Sequence, residues 1–106
     1  MAYKVLGQSA PAATTATDVY TVPAGKSAVV STISICNTSS SAITYRISVR
    51  INGAAAANAQ YIAYEASLPG NSTDLMTVGI TLAAGDVITA YVSAATGSFN
   101  VFGSEQ

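Results

Sequence analysis

Five carboxylates, four cations, one cysteine and six tyrosines are the residues with which this chain can do chemistry. Histidine is absent, which removes every nucleophile activated by an imidazole and most zinc sites. Cys36 has no second thiol with which to share a metal or close an internal disulfide, and its place in an apolar run predicts a small buried hydrophobe. Of Asp18, Glu65, Asp74, Asp86 and Glu105, only Glu65 and Asp74 are near each other in sequence. That scatter is expected of turn carboxylates rather than of the paired acids of a glycosidase. No glycine-rich loop of the phosphate-cradling kind is present. The sequence predicts a protein that is not an enzyme and that carries no cofactor and no metal.

Binding has more material to work with. Exposed tyrosine offers apolar area with a polar tip, a common contact residue. Tyr45 shares its face with aliphatic residues and reads as core. Tyr61 and Tyr64, three apart in an expected strand, are predicted on opposite faces, which leaves at least one of them turned toward solvent or a partner. Tyr3 is a further interface candidate. Arg46 and Arg50, four apart, are predicted on one strand face about 13 Å apart. With Lys4 and Lys26 they are the only cations of a chain with net charge −1. Four scattered cations make no basic stripe, so nucleic acid is not an expected partner.

The elements that must position these residues follow from composition and period. The 106 residues suffice for one domain spanning 1–106. Half of them are hydrophobic and only 8% are charged, against about 25% in an ordinary soluble domain. Such a surface suits a protein covered by neighbours, and it also occurs in secreted and extracellular β-proteins. No run of residues has the length of a membrane span, and the start of the chain has no signal-peptide run. The expectation is a protein made and kept in a cytoplasm, or one that leaves it by a route other than a cleaved signal, such as lysis, with no membrane partner. Asn37-Thr38-Ser39 and Asn71-Ser72-Thr73 match the glycosylation pattern but read as turn residues.

Period two runs along most of the chain. In Ile43 to Ile51 the odd positions are Ile, Tyr, Ile, Val and Ile, and the even ones Thr, Arg, Ser and Arg. A half-buried antiparallel strand requires this alternation. Further strands are predicted at Tyr3 to Gln8, Val19 to Val22, Ala28 to Cys36 (with Val29, Ile33 and Ile35 sharing a face), Gln60 to Ala66, Leu75 to Leu82 with a bulge or bend at Gly79, Val87 to Ala94, and Ser98 to Phe102. Turns are expected at Pro23-Ala24-Gly25-Lys26, Pro69-Gly70-Asn71 and Ala84-Gly85-Asp86, with a tight hairpin at Asn52-Gly53. Ala54 to Gln60 fits a helical turn, a strand or a loop. The fold class is all-β: a single β-sandwich, jelly-roll or immunoglobulin-like, of about eight antiparallel strands.

The first 17 residues form a possible N-terminal strand and a flexible connection, Pro11 to Thr17. That strand either pairs within its own sandwich or acts as a tethered arm for a neighbouring copy. At the other end, Phe99 and Val101 point one way and Phe102 the other, which leaves Phe102 at an edge or partner contact.

The run Tyr20-Thr21-Val22-Pro23-Ala24-Gly25-Lys26, leading into a strand that ends Cys36-Asn37, resembles the opening of small β-rich structural proteins of tailed bacteriophages, including phages of cyanobacteria. Tyr45-Arg46-Ile47, Tyr61-Ile62-Ala63-Tyr64, Gly79-Ile80-Thr81-Leu82, Gly85-Asp86-Val87 and Phe99 to Glu105 are similar to the same pattern. The resemblance implies a virion component that self-associates, with a trimer favoured, and binds a major capsid or tail protein. A capsid decoration (cement) role is preferred to a tail, neck, baseplate or fibre role. The reading from another class is a carbohydrate-binding or host-adhesion module. The interface candidates are Tyr3, Tyr61, Tyr64, Arg46, Arg50 and Phe102.

Overall fold

Eight strands cross between two sheets at every step of the chain except from β4 to β5, which are neighbours in one sheet, and this determines what each side chain faces. The computed structural model describes residues 2–106. The strands are β1 (Ala2–Ser9), β2 (Thr17–Thr21), β3 (Ala28–Asn37), β4 (Ile43–Arg50), β5 (Tyr61–Leu68), β6 (Thr73–Leu82), β7 (Val87–Val92) and β8 (Gly97–Glu105). One sheet has the order β1-β8-β3-β6 and the other β2-β7-β4-β5, and every pairing is antiparallel. Two four-stranded sheets in that order are a jelly roll; an immunoglobulin-like sandwich would order its strands differently.

The core lies between the sheets. Val30, Ile33, Ile35, Phe99 and Val101 from one sheet meet Ile43, Tyr45, Ile47, Ile88 and Val92 from the other, all buried. The Tyr45 and Phe99 rings pack edge to face at 6.3 Å, the arrangement aromatic quadrupoles favour. Where a core tyrosine needs a partner for its hydroxyl, the rim supplies a carboxylate. Tyr45 donates to Asp74 at 2.9 Å and Tyr20 to Glu105 at 2.7 Å, with Lys4 on the other Glu105 oxygen at 3.3 Å. Burial, followed by these bonds to carboxylates, pushes the Tyr45 hydroxyl up to about 12 and raises that of Tyr20 further.

The predicted turns form. The Lys26 amide donates to Pro23 and the Asp86 amide to Ala83, with Gly25 and Gly85 at positive φ where a side chain would be strained. Asn37 is more than a turn residue. It is buried, its amide nitrogen donates to the Ser41 and Pro69 carbonyls, and its oxygen accepts from the Ser39 amide and the Thr96 hydroxyl.

Several expectations are corrected. Val29 does not share a face with Ile33 and Ile35. Against β8, β3 carries an extra residue between Val30 and Thr32, and this bulge reverses the alternation, so Ala28 and Val30 point inward and Val29 outward. The same phase puts Cys36 on the outward side, half-buried rather than in the core. Gly79 does lie in an irregularity, because β6 has an extra residue opposite the β3 bulge.

Asn52-Gly53 makes no tight hairpin. Both residues have positive φ, as that turn needs, but the chain continues through an exposed loop and a 3-10 turn, Asn58–Gln60, before β5. The diversion is held in place by Asp86, which accepts the Asn52 amide, and by Arg50, which captures the Gly53 and Ala54 carbonyls.

β1 pairs along its length with β8 of its own chain, which is the first of the two arrangements open to it. A side chain at Gly7 would collide with the Val19 carbonyl, so β1 fits closely into the corner beside β2. The following connection is docked rather than loose: Pro11 is buried and the Thr14 amide donates to the Val92 carbonyl at 2.8 Å.

Candidate functional site

The register defines two outer faces of different chemistry. On β1-β8-β3-β6 the outward rows run Tyr3–Ser104–Val29–Thr81, then Val5–Phe102–Thr32–Thr77, then Gln8–Asn100–Ser34–Leu75. Among the described residues no Lys, Arg, Asp or Glu stands in these rows; Lys4, Asp74 and Glu105 turn to the inner side of the rim. Tyr3 is 81% exposed and Leu75 68% exposed, so large apolar side chains stand in water on this face among hydroxyls and amides. Phe102 lies in the middle of the face, not at a sheet edge, because β8 is an interior strand.

The outer face of β2-β7-β4-β5 is built around Arg46. Its guanidinium lies 4.6 Å from the Tyr64 ring centre and 4.2 Å from that of Tyr91, held between two negative π faces. Its Nε donates to Glu65 at 3.1 Å. That bond is the largest influence holding the Glu65 carboxyl below its usual range, and it raises the guanidinium further. Tyr61 packs edge to face on Tyr64 at 4.8 Å.

Tyr61 and Tyr64 therefore lie on the same face, contrary to the alternation expected of them. Where β4 advances from Tyr45 to Ile47, β5 advances from Ala66 to Ala63. This extra residue makes a bulge, with Glu65 at φ 49°, that turns Tyr64 and Glu65 outward together, opposite Arg46. A second extra residue, between Ala63 and Tyr61 where β4 steps only from Ile47 to Ser48, brings Tyr61 to the same face. Arg46 and Arg50 share this face, as their spacing predicts.

All three guanidinium nitrogens of Arg50 are engaged. Nη2 donates to Asp18 at 2.8 Å, Nε to Thr89 at 3.0 Å, and Nη1 to Gly53 and Ala54 at 3.1 Å each. Thr89 in turn donates to the same Asp18 oxygen. These side chains floor a cleft of about 450 Å³ that also includes Ser48, Tyr61 and Tyr91.

Of the interface candidates, the structure brings Tyr61, Tyr64, Arg46 and Arg50 together on this face and leaves Tyr3 and Phe102 on the other. Asp18, Ser48, Thr89 and Tyr91 were missed. For Tyr91 the signal was present, since Ile88, Ala90 and Val92 alternate with it. Asp18 and Thr89 come from strands far apart in sequence, and only the jelly-roll order makes them neighbours. Among the described residues no three of His, Cys, Asp and Glu cluster as a metal site would need, and no helix is long and apolar enough to cross a membrane. Comparisons with protein-family models, characterised proteins and solved structures find no match.

Proposed function

We propose that this chain is a non-enzymatic structural protein of a bacteriophage virion, a capsid decoration protein that self-associates and binds the particle surface. The observation that carries the reading is the outer face of β1-β8-β3-β6, which has exposed Tyr3, Val5, Val29 and Leu75 but no charged side chain in its rows. Its first occupant is another copy of the same chain. A neutral face meets its own copy without like-charge repulsion, and its serine, threonine, asparagine and glutamine side chains are both donors and acceptors.

In a closed ring of three copies one part of the face meets a different part of the surface of the next copy, a heterologous contact that closes on itself and leaves no open end for further growth. Such a ring touches several subunits of the major capsid protein at once, so weak contacts add to firm attachment. The protein is then made in the host cytoplasm and resides in the virion. The resemblance of the Tyr20 to Asn37 run to tailed-phage structural proteins supports the same reading, which also accommodates a tail, neck, baseplate or fibre position.

Sedimentation velocity and co-sedimentation with purified capsids and tails test the proposal. Three chain masses in solution, with pelleting on capsids, are expected. Pelleting on tails alone moves the protein to the tail. One chain mass at every concentration, with no pelleting on either particle, overturns the proposal.

A further inference from the structure

The cleft on the opposite face has a chemistry that docking to a particle does not use. We infer that the outer face of β2-β7-β4-β5 is a binding site for a neutral saccharide. The cleft of about 450 Å³ adjoins a second depression of about 330 Å³ lined by Asn58, Tyr61 and Tyr64, and Tyr61 borders both. The first alone falls in the range of small-molecule sites, and the two together form an elongated site.

Charge and hydrogen-bonding capacity exclude two other ligand classes. An anion needs an uncompensated cation, but Arg46 is matched by Glu65 and Arg50 by Asp18, so the site is formally neutral. A purely apolar ligand would cover polar groups that have bonding capacity left. Among the described residues Asp18 accepts only through Oδ1, from Arg50 and Thr89, which leaves Oδ2 free. Arg46 spends Nε on Glu65 and keeps Nη1 and Nη2. Ser48 adds a hydroxyl that can donate or accept.

The cleft therefore offers a free carboxylate oxygen, free guanidinium donors and a hydroxyl beside tyrosine rings. A sugar matches this set. Neighbouring hydroxyls donate to the carboxylate and accept from the guanidinium, while the C–H face of the ring lies on tyrosine. The site is also rigid. Tyr64 and Tyr91 fix the plane of Arg46, and Arg50 ties the β4–β5 loop to the sheet, so little ordering remains for a ligand to impose.

The inference is independent of the docking face, and its test reads a different part of the molecule. Full-length protein labelled with ¹⁵N is titrated with maltohexaose, cellohexaose, laminarihexaose and chitohexaose, each up to about 10 mM, with a heparin hexasaccharide as the anionic control. At least one neutral hexasaccharide should give saturable amide shifts at Asp18, Arg46, Tyr61 and Tyr91. Tyr61→Ala and Asp18→Asn should each weaken binding by about tenfold or more, and Tyr61→Phe should retain it because the ring face is kept. Lys26→Ala, in the β2–β3 turn, should leave it unchanged. The absence of saturable shifts with every neutral hexasaccharide overturns the inference. So does binding of heparin alone, or a shift pattern centred elsewhere.

Discussion

On the outer face of β1-β8-β3-β6, exposed Tyr3, Val5 and Leu75 stand among hydroxyls and amides with no charge in the rows. On the outer face of β2-β7-β4-β5, Asp18, Arg46, Arg50 and Glu65 are all present and all paired. Both faces rest on one core and both arise from the same alternation, yet they treat water differently. The first exposes apolar area that only another surface can cover. The second spends its charges on fixing its own side chains, so that a shaped cleft survives in water. Low overall charge is thus not evenly spread: where charges occur on an outer face, they organise a site.

The largest expected effect removes both faces together. Ile47, buried at the centre of β4, cannot become Asp without placing an unpaired carboxylate in the core. Ile47→Asp should cost about 4 kcal/mol or more and abolish the β signal in circular dichroism; a folded variant would show that the core does not couple the faces.

Next in size is alkaline loss of stability, which acts at the rim joining the sheets. Tyr20 and Tyr45 have raised values in the folded protein. Their contribution is complete below the ordinary tyrosine value of about 10 and is lost as pH rises through the folded value, about 12 for Tyr45. Urea midpoints should fall steadily above pH of about 10, and less steeply in Tyr45→Phe. Equal slopes in the two proteins would remove Tyr45 as the cause.

A smaller effect confines itself to the charged face. Arg46→Gln removes the donor that most lowers Glu65, so the Glu65 carboxyl should titrate in the ordinary range by ¹³C NMR, with the melting temperature lowered by less than about 5 °C. In the parent protein the Glu65 contribution is present above the unfolded value of about 4.3 and is lost as pH falls through the depressed folded value. An unchanged Glu65 titration in the variant would break the account of that face.

The smallest change in stability should accompany a large change in assembly. Leu75→Lys adds a charge to the uncharged face at an exposed position, with stability within about 0.5 kcal/mol of the parent. Sedimentation should then give a lower mass. A variant that still assembles fully would assign self-association to another surface.

The sequence carried the strands and most of the core because a period of two is a local property. Ile43, Tyr45 and Ile47 point inward as their spacing requires, and Phe102 is opposed to Phe99 and Val101. What it did not carry depends on pairing between distant strands. The extra residues near Ser31 in β3 and at Ile62 in β5 are bulges only relative to their partners, so Val29 and Tyr61 fall on faces that alternation alone assigns wrongly. The cleft was illegible for the same reason. Tyr91 and Tyr64 reach Arg46 only because β7 and β5 flank β4.

The strand order also sets a schedule. β8 lies between β1 and β3, and β7 between β2 and β4, so each early strand waits for a late one to fill the gap beside it. While the chain is being made, β1 and β3 have no neighbour to join them, and contacts so distant in sequence form slowly. The uncharged rows across β1, β8 and β3 come into register only once β8 has been synthesised and inserted. A nascent chain therefore does not yet display the completed uncharged face, and if that face joins copies as proposed, neighbouring chains on one messenger RNA cannot meet through it before each has closed its own core.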